Sequence, residues 1–236
     1  MFVFFEIAVA SFIGHGFLDF WPLFKSWDWS KALPSYIIAI VASYYVYTVI
    51  PGCVALTFFV SSAYHFGSDW GHGSDALFLG SSMIGIATYM SKDILEQMNI
   101  PNSPMFCTIY AIVGVLCIVP SLRATNRKKM SIVMVPLGVC GIYGVMAYGI
   151  LIHTPRSVWL LVQRYGNNIY LAWAVFTVGV FMCMKGVALV PGIDLMGVTY
   201  GILFAHIICT ALWRDSKQEK GLPKWRDSIQ GKGLPN

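Results

Sequence analysis

Charge is what this sequence has least of. Asp, Glu, Lys and Arg make up 11% of its 236 residues, where a soluble domain carries about a quarter. Hydrophobic residues fill 57% and aromatics 15%, and the mean hydropathy is +0.66. That balance excludes an ordinary water-soluble globule. It implies an integral membrane protein whose partner is the lipid bilayer, all-α, with residues 1–213 as one polytopic transmembrane helical bundle and 214–236 as a polar C-terminal tail. A cysteine framework is also missing. The six cysteines at 53, 107, 117, 140, 183 and 209 lie in apolar runs with no CxxC pair, so they read as small buried hydrophobes. There is no basic n-region ahead of the first apolar run, so that run reads as a first span rather than a cleaved signal. The net charge of +5 comes largely from the loop "RATNRKK", 123–129, and the tail. Without a nucleic-acid recognition fold beside it, that charge suits anionic headgroups and no nucleic acid partner.

A span needs about 20 apolar residues. Runs of that kind cover roughly 2–24, 33–49, 52–66, 103–120, 131–152, 168–185 and 187–213. Pro51-Gly52 and Pro191-Gly192 are the natural turns within the longer stretches. The segment "ALFLGSSMIGIATYMS", 76–91, is short and rich in small hydroxyl residues, so it reads as a short span, a re-entrant piece or an interfacial one. Seven or eight spans follow. With seven, the loops 25–32, 67–102 and 153–167 and the tail share one side and carry eleven of the sixteen Lys and Arg. That asymmetry places the tail in the cytoplasm. It also puts His15, His65, His153 and His206 in the same half of the bilayer, whereas eight spans split them two and two.

Those histidines are the polar residues that hydrocarbon tolerates least, and an ionisable side chain at membrane depth is by default a functional candidate. In "FIGHGFLDFWPLF" His15 stands four residues before Asp19, and in "SSAYHFGSDW" His65 stands four before Asp69. On a helix each pair shares a face. A carboxylate one turn from an imidazole can accept its second N–H, the usual outer support of a metal ligand. The plainer alternative is a hydrogen bond that joins two spans. His153, before Thr154-Pro155, reads as a residue at a helix end, and His206 as one well inside the last span. His72, between glycines, reads as a loop residue. An all-imidazole set suits Zn, Cu or Fe and excludes Mg and Ca. Set among apolar walls and without thiolates, it favours Fe2+ and oxygen chemistry on a lipophilic substrate.

"HGFLDF" and "SAYHFGSD" resemble the signature segments of the Brp/Blh family, the integral-membrane beta-carotene 15,15'-dioxygenases. The resemblance covers chiefly the first third of the chain. It implies an iron-dependent oxidoreductase that cleaves beta-carotene or a related carotenoid at its central double bond with O2, giving retinal, with His15 and His65 as iron ligands. The family's H-x3-H pair in a later span is absent here, and His153 and His206 are the histidines left to complete the set, with Asp19 and Asp69 behind them. A rival reading is a non-enzymatic membrane transporter or assembly protein using the His–Asp pairs as a proton relay. A retinal-binding photoreceptor built on Lys185 is weaker, because another span follows that lysine.

Overall fold

The computed structural model describes residues 2–18, 29–71, 73–97, 104–123, 128–187, 189–192, 198 and 201–207. Among them there is no strand. The helices are α1 Phe2–Leu18, α2 Trp29–Val49, α3 Pro51–Gly67, α4 Ser74–Met90, α5 Lys92–Gln97, α6 Pro104–Arg123, α7 Lys128–Val139, α8 Gly141–Tyr148, α9 Thr154–Tyr165 and α10 Asn168–Val187. A π-helical turn, Gly149–His153, joins α8 to α9, and residues 201–207 form α11. Asp19, His72 and the tail from 214 lie outside the described residues.

Among the described residues, three stretches are long and apolar enough to cross a membrane: Met105–Leu122, Gly141–Gln163 and Asn168–Gly186. Shorter apolar helices accompany them at Glu6–Leu18, Leu33–Val49 and Met130–Val139. The outer surface is apolar too: Leu116, Leu151 and Leu171 are each at least 65% exposed.

The segment 76–91 is helical almost throughout. It forms most of α4, a helix enclosed by its neighbours, with Ala76, Leu79, Gly80, Ser82, Met83, Ile84, Gly85, Ala87 and Thr88 all buried. Small residues make this possible, because without a large Cβ group two backbones can approach closely. A β-carbon on Gly80 would sit 1.6 Å from the Ala63 carbonyl oxygen, and one on Gly67 would sit 1.7 Å from that of Ala76. These two approaches pair early α4 with late α3, so the helices are antiparallel. Gly85 and Gly114 make the equivalent approach to α6, again antiparallel. Gly138 of α7 meets Met83 and Ile86, while Gly141 meets Met90 and Ser91, so α7 runs parallel to α4.

The expected span 131–152 is in fact two helices. Gly141 adopts φ +64°, the left-handed region that glycine enters without steric cost, and the chain reverses there. Its backbone returns so close that a β-carbon on Gly144 would meet the Leu137 carbonyl oxygen at 1.9 Å. Ser91 anchors the reversal by accepting the Ile142 N–H at 2.6 Å. From Gly141 a continuous helical run climbs back through the π turn into α9.

Elsewhere α1 and α10 lie antiparallel. Lys185 donates to Glu6 at 2.7 Å, Trp173 donates to the Ser11 carbonyl at 3.1 Å, and Gly14 packs on Thr177. Lys185 therefore closes an ion pair at the outer end of two helices. Cys107 and Cys117 are buried as expected, but Cys140 and Cys183 are exposed. An apolar outer face accepts a thiol as readily as a core does, so hydropathy alone does not distinguish the two.

Candidate metal centre

His15 lies in the last turn of α1 and His65 in the last turn of α3. His153 ends the π turn, and His206 lies in α11. All four side chains are buried, and each offers a ring nitrogen such that these atoms all lie within 4.8 Å of one another. The rings form a closed circuit. His153 stands 4.8 Å from His15 and 4.6 Å from His65 between centroids, while His206 stands 5.0 Å and 4.9 Å from the same two. The four histidines singled out in the sequence thus come together.

Two local features aim them. The π turn is bonded from the Thr154 N–H to the Gly149 carbonyl, five residues back. Pro155 follows, and proline cannot donate the hydrogen bond a regular helix would need there. Such turns recur where a helix must redirect a functional side chain. Here the turn delivers His153 to complete burial, 0% exposed, rather than to a helix end. The second feature is Gly16. A β-carbon there would lie 2.5 Å from His206 Nδ1 and 2.6 Å from its Cγ, so His206 occupies the space a larger residue would fill.

The electrostatics follow from what stands behind each ring. His15 Nδ1 bonds the Phe12 carbonyl. A carbonyl only accepts, so Nδ1 carries the hydrogen and Nε2 is left as a lone pair. His153 Nδ1 donates to Asp69 Oδ2 at 2.6 Å, which leaves its Nε2 as a lone pair as well. Yet His153 Nε2 lies 3.0 Å from His15 Nε2 and 2.9 Å from His65 Nε2. Neutral rings in these tautomers repel across the first gap, and a cation relieves the repulsion. Four imidazole nitrogens form a donor set that suits Zn, Cu or Fe. Bonds of about 2.1 Å to one ion allow nitrogens up to about 4.2 Å apart. The spacing fits once the widest pair draws in by about half an ångström.

Asp69 departs from the expected i, i+4 pairing with His65. α3 stops at Gly67, and residues 68–70 turn, with the Asp69 N–H bonded to Phe66 and the Trp70 N–H to Gly67. That turn swings the carboxylate to His153, 84 residues away in sequence. It also brings Asp69 to residues that no motif or spacing singled out. Tyr148 donates to Asp69 Oδ2 at 2.9 Å. Trp70 Nε1 donates to the Tyr148 hydroxyl at 2.7 Å. Arg156 donates to the Asp69 carbonyl at 2.6 Å, and its guanidinium lies over the Trp70 ring, 4.4 Å from the centroid.

Phe12 and Phe66 wall the cluster on one side, with Phe12 5.5 Å from the His15 ring and Phe66 5.2 Å from that of His153. Gly149 makes room for Phe12, whose ring would meet a β-carbon there at 3.0 Å. Asp19, the other expected carboxylate, lies outside the described residues. No family model, no curated protein and no solved structure matches this chain.

Proposed function

We propose that this protein is a multi-pass membrane oxidoreductase that holds Fe2+ on His15, His65, His153 and His206 and cleaves beta-carotene, or a related carotenoid, at its central double bond with O2. The observation that carries the metal reading is the meeting of the His15 and His153 lone pairs 3.0 Å apart inside a buried, thiolate-free site. The carotenoid reading rests on the likeness of "HGFLDF" and "SAYHFGSD" to the Brp/Blh signature segments and on the apolar outer surface, which suits a substrate dissolved in lipid. Apolar faces of this extent mark membrane or partner contact in general.

Bound at this site, ferrous iron would supply the activation of O2 that breaking a carbon–carbon double bond requires. In that cleavage one C=C bond is lost, two C=O bonds form, and both oxygen atoms end in two molecules of retinal. The chain's own residues do the rest. The histidines bind. Asp69 fixes the tautomer of His153 and sets one negative charge against the ion. Phe12 and Phe66 exclude water from the site.

A second reading is a proton relay. It is favoured by the 2.6 Å and 2.9 Å links from Asp69 through His153 to His65, which are hydrogen-bond lengths. Expression in carotenoid-accumulating cells separates the two. The oxygenase bleaches the cells and yields retinal, and the His65→Ala protein does neither. Unchanged pigment with the protein present and iron-loaded would overturn the carotenoid assignment.

A further inference from the structure

The proposed metal site leaves one set of buried contacts unused, the chain that runs behind Asp69. It begins at Trp70, whose indole N–H can only donate. By donating to the Tyr148 oxygen at 2.7 Å it occupies an acceptor position there and turns the hydroxyl hydrogen towards Asp69 Oδ2, 2.9 Å away. The same Oδ2 receives the His153 Nδ1–H at 2.6 Å. The short bonds of the chain therefore run from Trp70 to Tyr148 to Asp69 on one side and from His153 to Asp69 on the other, the Phe66 carbonyl being the more distant acceptor for Tyr148 at 3.4 Å. Arg156 ties the two ends together, since it stacks on Trp70 and bonds the Asp69 backbone. Tyr148 itself is 1% exposed and packs in the cluster that contains Phe12 and Phe66.

We infer that Tyr148 is a positioning residue for the metal centre, with Trp70 and Arg156 as its clamp: by donating to Asp69 it holds the carboxylate in register, and so keeps the His153 Nε2 lone pair aimed into the four-histidine cluster. This rests on the metal reading given above. The geometry argues against a purely packing role. A phenylalanine would fill the same volume, and a hydroxyl buried this deeply is costly unless its bonds are used. The two short bonds of this hydroxyl, from Trp70 and to Asp69, lead to the support of one ligand, and only a longer contact of 3.4 Å reaches the Phe66 carbonyl.

The test uses the full chain in detergent with Co2+ as probe. Its affinity and its ligand-field absorption report the donor set without any turnover. Tyr148→Phe should weaken Co2+ binding about 10–100-fold, the range for loss of an outer support of a metal ligand, and should shift the absorption bands, with helical circular dichroism retained. Trp70→Phe, at a partly exposed residue, should shift the same bands in the same direction, and it carries the test alone if Tyr148→Phe does not fold. A merely structural tyrosine would lower the melting temperature of the metal-free protein and leave the Co2+ affinity and spectrum as they are, and that result overturns the inference. A wild-type protein that takes up no Co2+ overturns the metal reading itself, whereas a wild type that binds it and variants that bind identically overturn only the role of Tyr148.

Discussion

His15 Nε2 and His153 Nε2 face each other at 3.0 Å, and both rings are committed from behind, one to the Phe12 carbonyl and one to Asp69. Hydrogen bonds to a ring's far nitrogen set which nitrogen is free to bind. The fold therefore presents two lone pairs to one point, with His65 and His206 completing the set.

The first prediction is metal dependence of stability. A ligand that binds only the folded state stabilises it by about 2.7 kcal/mol at one hundred times its dissociation constant. Purified protein should bind one Fe2+ per chain, and its melting temperature should rise with added iron and fall with chelator. In His15→Ala or His65→Ala the melting temperature should not respond to iron. A wild-type protein whose melting ignores both iron and chelator would count against the site.

The convergence of the four histidines was legible in the sequence, while the path that produces it was not. Seven spans place His15, His65, His153 and His206 in one half of the bilayer. The structure adds two antiparallel turns to that count, one because α4 runs fully between α3 and α6, and one at Cys140–Gly141. Hydropathy left the first reversal open, with a short span as one reading of 76–91, and gave no sign of the second. Glycine, serine and alanine fill seven of the 17 positions of α4, where helices press on it from several sides, and that lowers its apolar signal. The turn at Gly141 has no charge or proline to mark it. The link from Asp69 to His153 was hidden for a related reason: spacing along a helix says nothing once the helix stops at Gly67. Gly16 was in view within "HGF", but only the approach of His206 gives it a purpose.

That approach yields the second prediction. Gly16→Ala removes no ligand and leaves α1 a better helix former. Its β-carbon would overlap His206, 2.5 Å from Nδ1, and push the ring from the cluster. Iron affinity should fall at least tenfold with helical content unchanged. A Gly16→Ala protein that binds iron like the wild type would show that His206 is not a ligand.

The third prediction concerns the path. α4 spans about 25 Å from Ser74 to Met90 at 1.5 Å per residue, close to the thickness of a bilayer core. With α4 as a crossing, Ser74→Cys and Lys92→Cys, both at exposed positions, should react with a membrane-impermeant thiol reagent from opposite sides. Cys140 should react from the Lys92 side, because Gly141 packs on Ser91. These measurements need a background lacking the other cysteines. Labelling of 74 and 92 from one side, with Cys140 inert, would restore the seven-span arrangement.

The last prediction separates ligand from support. Asp69→Asn keeps an oxygen that can accept the His153 Nδ1–H and keeps the side-chain shape, but it removes the charge set against the metal. Iron affinity should fall about 10–100-fold, and excess iron should restore retinal formation. His153→Ala removes a nitrogen, and excess iron should not rescue it. Because Asp69 acts through His153 and not through His65, the two lesions should not add: Asp69→Asn on top of His153→Ala should cost little more in iron affinity. Contacting residues couple in this way, whereas independent sites add. Combined with His65→Ala, the same substitution should still cost its full share, provided residual binding is strong enough to measure with Co2+. A proton relay predicts another order. There the carboxylate carries the proton, so Asp69→Asn would be as inactive as His153→Ala, with metal content unchanged and no response to iron. Iron binding and retinal yield measured together in the single and double variants decide between the two.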